Sequence, residues 1–231
     1  LPELVYWLIE NFQEKGVNIS LPSLRIDAFA LDVMSKIQDI RKSSLTFAPE
    51  AGSQRMRNVI NKGLTEEVIL KGAKDAFLGG WNRVKLYFML GLPGETKEDI
   101  AQIAVLSDKI AREYYEVPKE QRNGRVNIVT STSIFVPKPF TPFQWAPMVS
   151  KEEAQERRFF LLDEIKAQLN AKSIKYNCHD ADVSELEGVF ARGDRRLCDV
   201  ILQAYQSGCI YDAWSEHFQY GKCVQAFSDH Q

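Results

Sequence analysis

Residues 84–96, Val84-Lys-Leu-Tyr-Phe-Met-Leu-Gly-Leu-Pro-Gly-Glu-Thr96, constrain the fold of this chain more than any other stretch. Residues 84–90 are apolar apart from Lys85 and Tyr87, the pattern of a strand covered on both faces of a parallel sheet. Gly91 and Gly94 let the backbone turn sharply and approach a ligand closely. Thr96 is placed to cap a helix, with Asp99 three residues on to complete a capping box. Ligands of α/β folds bind at the carboxyl ends of parallel strands, so this strand–turn–helix predicts a small-molecule site.

The alternation extends along the chain. Helices are expected over residues 3–15, 31–40, 53–61, from Thr65 to Gly79-Gly80, and from Thr96 to about Tyr115. Gly63 takes the usual glycine place after the 53–61 helix. Strands are expected over 17–26, 44–48, 84–90 and 126–136, which calls for right-handed crossovers and a parallel sheet. Four strands are too few for a closed eight-stranded barrel. Prolines 137, 139, 142 and 147 make residues 137–148 extended and irregular. Ser150 then caps a helix with Glu153, its buried face expected at Phe159, Leu162, Ile165 and Leu169. Beyond Lys175 the pattern is less regular, with a helix near residues 197–206. Two domains are therefore expected, a partial barrel over 1–149 and a helical extension over 150–231.

Composition bounds the function. The chain has 231 residues, is 45% hydrophobic and carries a net charge of -2, enough apolar matter for a core and no broad pull toward nucleic acid or membrane. A local basic patch stays open, so a nucleic-acid partner does too. No apolar run approaches the roughly 20 residues that span a bilayer. Leu1-Pro-Glu3 does not read as a signal peptide, and the chain reads as a piece excised from inside a helical pattern. Cys178, Cys198, Cys209 and Cys223 form neither a close pair nor a zinc-finger spacing. They are expected to be reduced thiols of a cytoplasmic protein, with no metal. Cys178-His179-Asp180 is the one group with ligand chemistry, and it reads more simply as a polar turn.

Four blocks follow one another: Leu21-Pro-Ser-Leu-Arg-Ile-Asp27, Thr46-Phe-Ala-Pro-Glu-Ala-Gly-Ser-Gln-Arg55 with Asn61-Lys62-Gly63, Gly91-Leu-Pro-Gly-Glu-Thr96, and Val136-Pro-Lys-Pro-Phe-Thr-Pro-Phe143. In this order they resemble the second half of a radical SAM core, strands three to six of a partial (β/α)6 TIM-like barrel. The chain is most similar to the branch of uncharacterised radical SAM proteins associated with a B12-binding domain, which also carry the Arg192-Gly-Asp-Arg-Arg196 and Trp214-Ser-Glu-His-Phe218 segments. The resemblance implies S-adenosylmethionine, a 4Fe-4S cluster and an electron donor such as flavodoxin or ferredoxin, and it leaves cobalamin open. The family's Cys-x3-Cys-x2-Cys cluster loop is absent here and is expected upstream.

The resemblance also implies site residues. Glu50 would accept hydrogen bonds from the ribose hydroxyls or amino group of S-adenosylmethionine, or else serve as a helix-entry charge. Gly52 and Ser53 would add donors, Ser53 being equally placed as an N-cap. Met89, Gly91, Phe135 and Val136 would wall the adenine. Arg25, Lys138, Thr141 and Gln144 would face an unknown substrate, with Arg25 alternatively paired to Asp27 or Glu50. Glu95 reads as a helix-start charge, Asp194 to Arg196 as an ion-pair turn, and His217 as packed. A tRNA-modifying methylthiotransferase-like enzyme and a non-catalytic binding scaffold are the alternatives.

Overall fold

The computed structural model of the chain describes residues 2–12, 15, 45–212 and 214–230. The strand expected over 17–26, the helix over 31–40, and Arg25 and Asp27 lie outside the described residues. Within them run helix α1 (Pro2–Phe12), strand β1 (Leu45–Glu50), helices α2 (Gln54–Val59) and α3 (Glu66–Leu78), β2 (Arg83–Leu90) and α4 (Lys97–Glu116). Then follow β3 (Asn127–Ile134), α5 (Lys151–Lys166), β4 (Ile174–Cys178), α6 (Ala181–Arg192), α7 (Leu197–Gln206) and α8 (Tyr220–Asp229). The four strands form one parallel sheet in the order β1-β2-β3-β4, an α/β arrangement consistent with a partial TIM-like barrel.

The chain divides into two compact units. The first comprises Leu1–Ser133 and Glu156–Cys178, and the second Ile134–Gln155 and His179–Gln231. In the first, one face of the sheet makes the core. Val84, Leu86, Phe88 and Leu90 are at most 1% exposed, whereas Lys85 and Met89 are half-buried and Tyr87 is exposed. β2 is thus covered on one face, not on both as its composition implied. Ile103, Leu106 and Ile110 of α4 are fully buried, and Phe77 of α3 meets Tyr114 edge-on at 5.2 Å. Each such side chain contributes about 1.5–3 kcal/mol on leaving water.

β4 is an element that sequence periodicity did not reveal. It runs parallel to β3 with Ile128 opposite Ile174, and Thr132 and Tyr176 share a 2.9 Å hydrogen bond across the pair. The chain is steered into it by Asp108, 1% exposed on α4, which accepts from the Asn170 backbone and side-chain N–H groups at 2.8 and 2.9 Å.

Local signals at helix ends mostly hold. Thr65 and Thr96 cap α3 and α4, the second with its full capping box, and Ser150 and Glu153 bond reciprocally before α5. The end of α2 differs from expectation. Asn61, with φ 53°, takes the left-handed position, and Lys62 N–H reaches back to Arg57 C=O at 2.9 Å. Gly63 lies two residues further on. The buried stripe of α5 is Ala154, Leu161 and Ile165, while Phe159 and Leu169 are exposed, so the expected apolar face is rotated.

In the second unit, α6, α7 and α8 gather Leu186, Cys209 and Cys223 into a small core with Phe218 and Phe227 packed against it. Among the described residues no helix is long and apolar enough to cross a membrane.

Candidate functional site at the carboxyl ends of β1 and β2

β1 does not end smoothly. A register shift falls between Phe47 and Glu50, and Glu50 has φ 67°, a left-handed conformation that L residues adopt at a cost. Its carboxylate Oε1 accepts from Lys62 Nζ at 3.1 Å, with both side chains about 30% exposed at 29% and 32%. A pair so exposed is worth little and opens readily.

The turn after Glu50 is held by two devices. Gly52 lies so close to α4 that a Cβ there would sit 2.3 Å from Ile103 N, so glycine is needed for packing. Arg57, fully buried, donates to the carbonyls of Ala51, Gly52 and Leu64 at 3.1, 2.8 and 3.0 Å and to Gln54 at 3.0 Å. Burial lowers its pKa, while its bonds go to neutral oxygens, among them the buried carbonyls of Ala51 and Gly52. Sequence reasoning passed over Arg57, because an arginine on a short helix ordinarily points to water.

β2 ends beside this turn. Gly91, with φ 83°, and Gly94, with φ 76°, make the sharp bend expected of them. The Gly91 N–H is taken by Glu95, whose Oε2 accepts it at 2.8 Å and also accepts from Arg157 Nη1 at 2.8 Å. The Glu95 side chain is 3% exposed, and burial pushes its carboxyl up to about 7 against the opposing pull of the Gly91 N–H and Arg157. Glu95, directly ahead of the α4 N-cap Thr96 and read from the sequence as a helix-start charge, is thus a buried organiser of the turn. The only sequence signal for it was its place four residues after Gly91.

Asp99 laces the two turns together. It accepts from Ser53 Oγ at 2.6 Å, from Thr96 N at 2.8 Å and from the Arg55 guanidinium, and Arg55 also reaches Gly94 C=O at 2.8 Å. Burial alone would raise the Asp99 pKa, but the bonds from Arg55, Ser53 and Thr96 outweigh it and hold the carboxyl well below the usual range. Ser53 is thus both the N-cap of α2 and a donor to Asp99.

Met89 is half-buried one residue before the end of β2. The first unit thus brings Glu50, Gly52, Ser53, Met89 and Gly91 to the carboxyl ends of two adjacent strands. Phe135 and Val136 follow β3 directly and belong to the second unit, where Phe135 packs edge-on against Phe143 at 6.0 Å. Lys138, Thr141 and Gln144 shape the proline-rich loop of that unit. Lys138 pairs with Glu187 at 2.9 Å, Thr141 Oγ1 donates to Lys138 C=O at 2.6 Å, and Gln144 Oε1 accepts from Phe140 N–H at 3.2 Å. Asp194 pairs with Arg196 on the surface, and His217 is exposed beside Tyr211 and not packed as expected.

The donor set fits S-adenosylmethionine in kind. Glu50 offers an anionic acceptor to ribose hydroxyls or an ammonium, and Met89 offers an apolar surface. A 4Fe-4S cluster needs several thiolates together. Among the described residues Cys178 and Cys198 stand apart, and only Cys209 and Cys223 approach, at 4.0 Å. The described cysteines do not fit such a cluster.

Residues 2–106, which hold both turns, match the radical SAM superfamily. The chain is also 32% identical over 188 residues to an uncharacterised protein of Methanocaldococcus jannaschii, an alignment covering 81% of this chain and 38% of that protein. The chain thus spans well under half the length of this curated relative. The motif order, the parallel sheet and the match agree: residues 2–106 of this chain belong to the radical SAM superfamily.

Proposed function

We propose that this chain is the S-adenosylmethionine-binding part of a cytoplasmic radical SAM enzyme, in which a 4Fe-4S cluster held by residues outside the chain reductively cleaves S-adenosylmethionine to methionine and a 5′-deoxyadenosyl radical that abstracts a substrate hydrogen. The observation that carries this reading is Glu50, a non-glycine residue in left-handed geometry at the carboxyl end of β1, whose carboxylate meets only Lys62 among the described residues. Strain of this kind, at about 1–3 kcal/mol, persists where the surroundings hold a side chain for a purpose. Glu50 would accept from the ligand's ribose hydroxyls or ammonium, with Lys62 releasing it. Gly52 and Ser53 keep the turn in place, Met89 lies against the adenine, and Gly91, bonded through Glu95, fixes the floor. Phe135 and Val136 for adenine, and Lys138, Thr141 and Gln144 for substrate, rest on their place in the chain after β3. Arg25 keeps its substrate role on the resemblance alone.

Cobalamin and a nucleic-acid substrate find no supporting observation at this site.

The full-length protein, reconstituted anaerobically and reduced, is expected to form 5′-deoxyadenosine from S-adenosylmethionine, measured by chromatography and mass spectrometry. Glu50→Ala is expected to lower the rate at least about tenfold, the loss of roughly one charge-assisted hydrogen bond. Equal turnover would remove Glu50 from the site, and no product from protein with an intact cluster would overturn the reaction itself.

A further inference from the structure

The link between α7 and α8 gathers three ligand-bearing side chains that the sequence scatters. Gly208, with φ 94°, turns the chain out of α7, and Cys209 N–H then bonds Ala204 C=O at 3.0 Å. Cys223 sits near the start of α8 and places its Sγ 4.0 Å from that of Cys209. Asp212 comes from the link, and one carboxylate oxygen and the two sulfurs all lie within 4.8 Å of one another. Both cysteines are buried. Asp212 Oδ1 is enclosed, with no hydrogen-bond partner among the described residues. An orphaned oxygen of this kind costs about 1–3 kcal/mol, more when charged, and native structures rarely leave one unexplained.

We propose that Cys209, Asp212 and Cys223 bind a divalent transition metal, with Zn2+ the ion that fits. Thiolates at the usual Zn–S length of about 2.3 Å in tetrahedral geometry stand about 3.8 Å apart, close to the separation here. Two thiolates exclude Mg2+ and Ca2+, which take oxygen ligands. A simple thiol pair would leave Asp212 unaccounted for, whereas a cation satisfies it. The three ligands border a cavity of about 580 Å³ whose other walls include Leu186, Phe190, Val200 and Phe227. A fourth ligand, water or a small polar group, would enter from that cavity. The metal would also staple a unit with a small core, since binding to ligands assembled only on folding adds to folding free energy. Cys178-His179-Asp180, the metal candidate of the sequence, does not form such a group. Asp180 caps α6 by accepting from Asp182 N–H at 2.8 Å, and His179 is exposed.

The test is a Co2+ titration of the metal-stripped 231-residue chain under thiol-free reductant. One equivalent is expected to bring in thiolate-to-cobalt charge-transfer absorption and tetrahedral d–d bands, both bleached by Zn2+. Cys209→Ser and Cys223→Ser should each abolish the charge-transfer pattern of two thiolates, while Cys198→Ser keeps it. Asp212→Asn should keep the charge transfer and weaken Co2+ binding about tenfold or more. Circular dichroism confirms that each variant is folded. Absence of thiolate charge transfer in the folded wild type would overturn the site irrespective of the variants. Unchanged affinity in Asp212→Asn would overturn the three-ligand assignment.

Discussion

Burial and bonding pull Glu95 and Asp99 in opposite directions, with opposite consequences for pH. The folded chain holds the Glu95 proton from the ordinary 4.5 up to about 7, where the unfolded chain has released it. Stability therefore falls as pH rises through that window. Asp99 is held below its ordinary 3.8, so its contribution is present above that value and is lost only in stronger acid. Denaturant midpoints measured from pH 4.5 to 7 are expected to decline for the wild type and to flatten in Glu95→Gln. An unaltered slope in the variant would assign the decline elsewhere. Arg57 supports a second prediction. Arg57→Ala removes the side-chain donor from the buried carbonyls of Ala51 and Gly52 and should cost about 2–4 kcal/mol by urea unfolding. Arg57→Lys should recover only part, because one ammonium cannot span the same fork of acceptors. Arg57 did not stand out in the sequence and Glu95 read only as a helix-start charge, since nothing local distinguishes a buried charge from a solvated one.

At the scale of elements, the strand–turn–helix units around β1 and β2 were legible because their signals are local: glycines with positive φ, threonine caps and an apolar run. What a strand faces is not local. Lys85 and Tyr87 in β2 looked like interruptions of a doubly covered strand, yet they mark a half-open face. The α5 register failed in part: Ile165 is buried as expected, but Leu161 is buried and Phe159 and Leu169 are exposed. β4 has only five residues and an unremarkable pattern; pairing with β3 makes it a strand. Close approach gives this scale its prediction. Gly52→Ala should cost about 1–3 kcal/mol, read as a fall in the thermal midpoint, because α4 must shift away from the new methyl group. Wild-type stability in that variant would show the contact to be loose.

For the whole molecule, the discontinuous first unit sets where the chain tolerates a cut. A chain ending at residue 149 lacks β4 and bares the β3 edge, whereas one ending at 178 keeps both. The shorter chain is expected to aggregate or unfold without cooperativity, and the longer one to retain a cooperative transition by circular dichroism. Equal behaviour would make β4 dispensable. The sequence by itself determined the βα alternation, the parallel sheet, the caps and the strand-end turns, because propensity, capping and turn chemistry act within a few residues. Only the tertiary structure decided that Asp99 ties two turns together, that Glu95 is buried, that residues 174–178 complete a sheet, and that Cys209, Asp212 and Cys223 converge. Each of these depends on which distant segments meet, and burial and pairing between such segments leave no periodic trace in the chain.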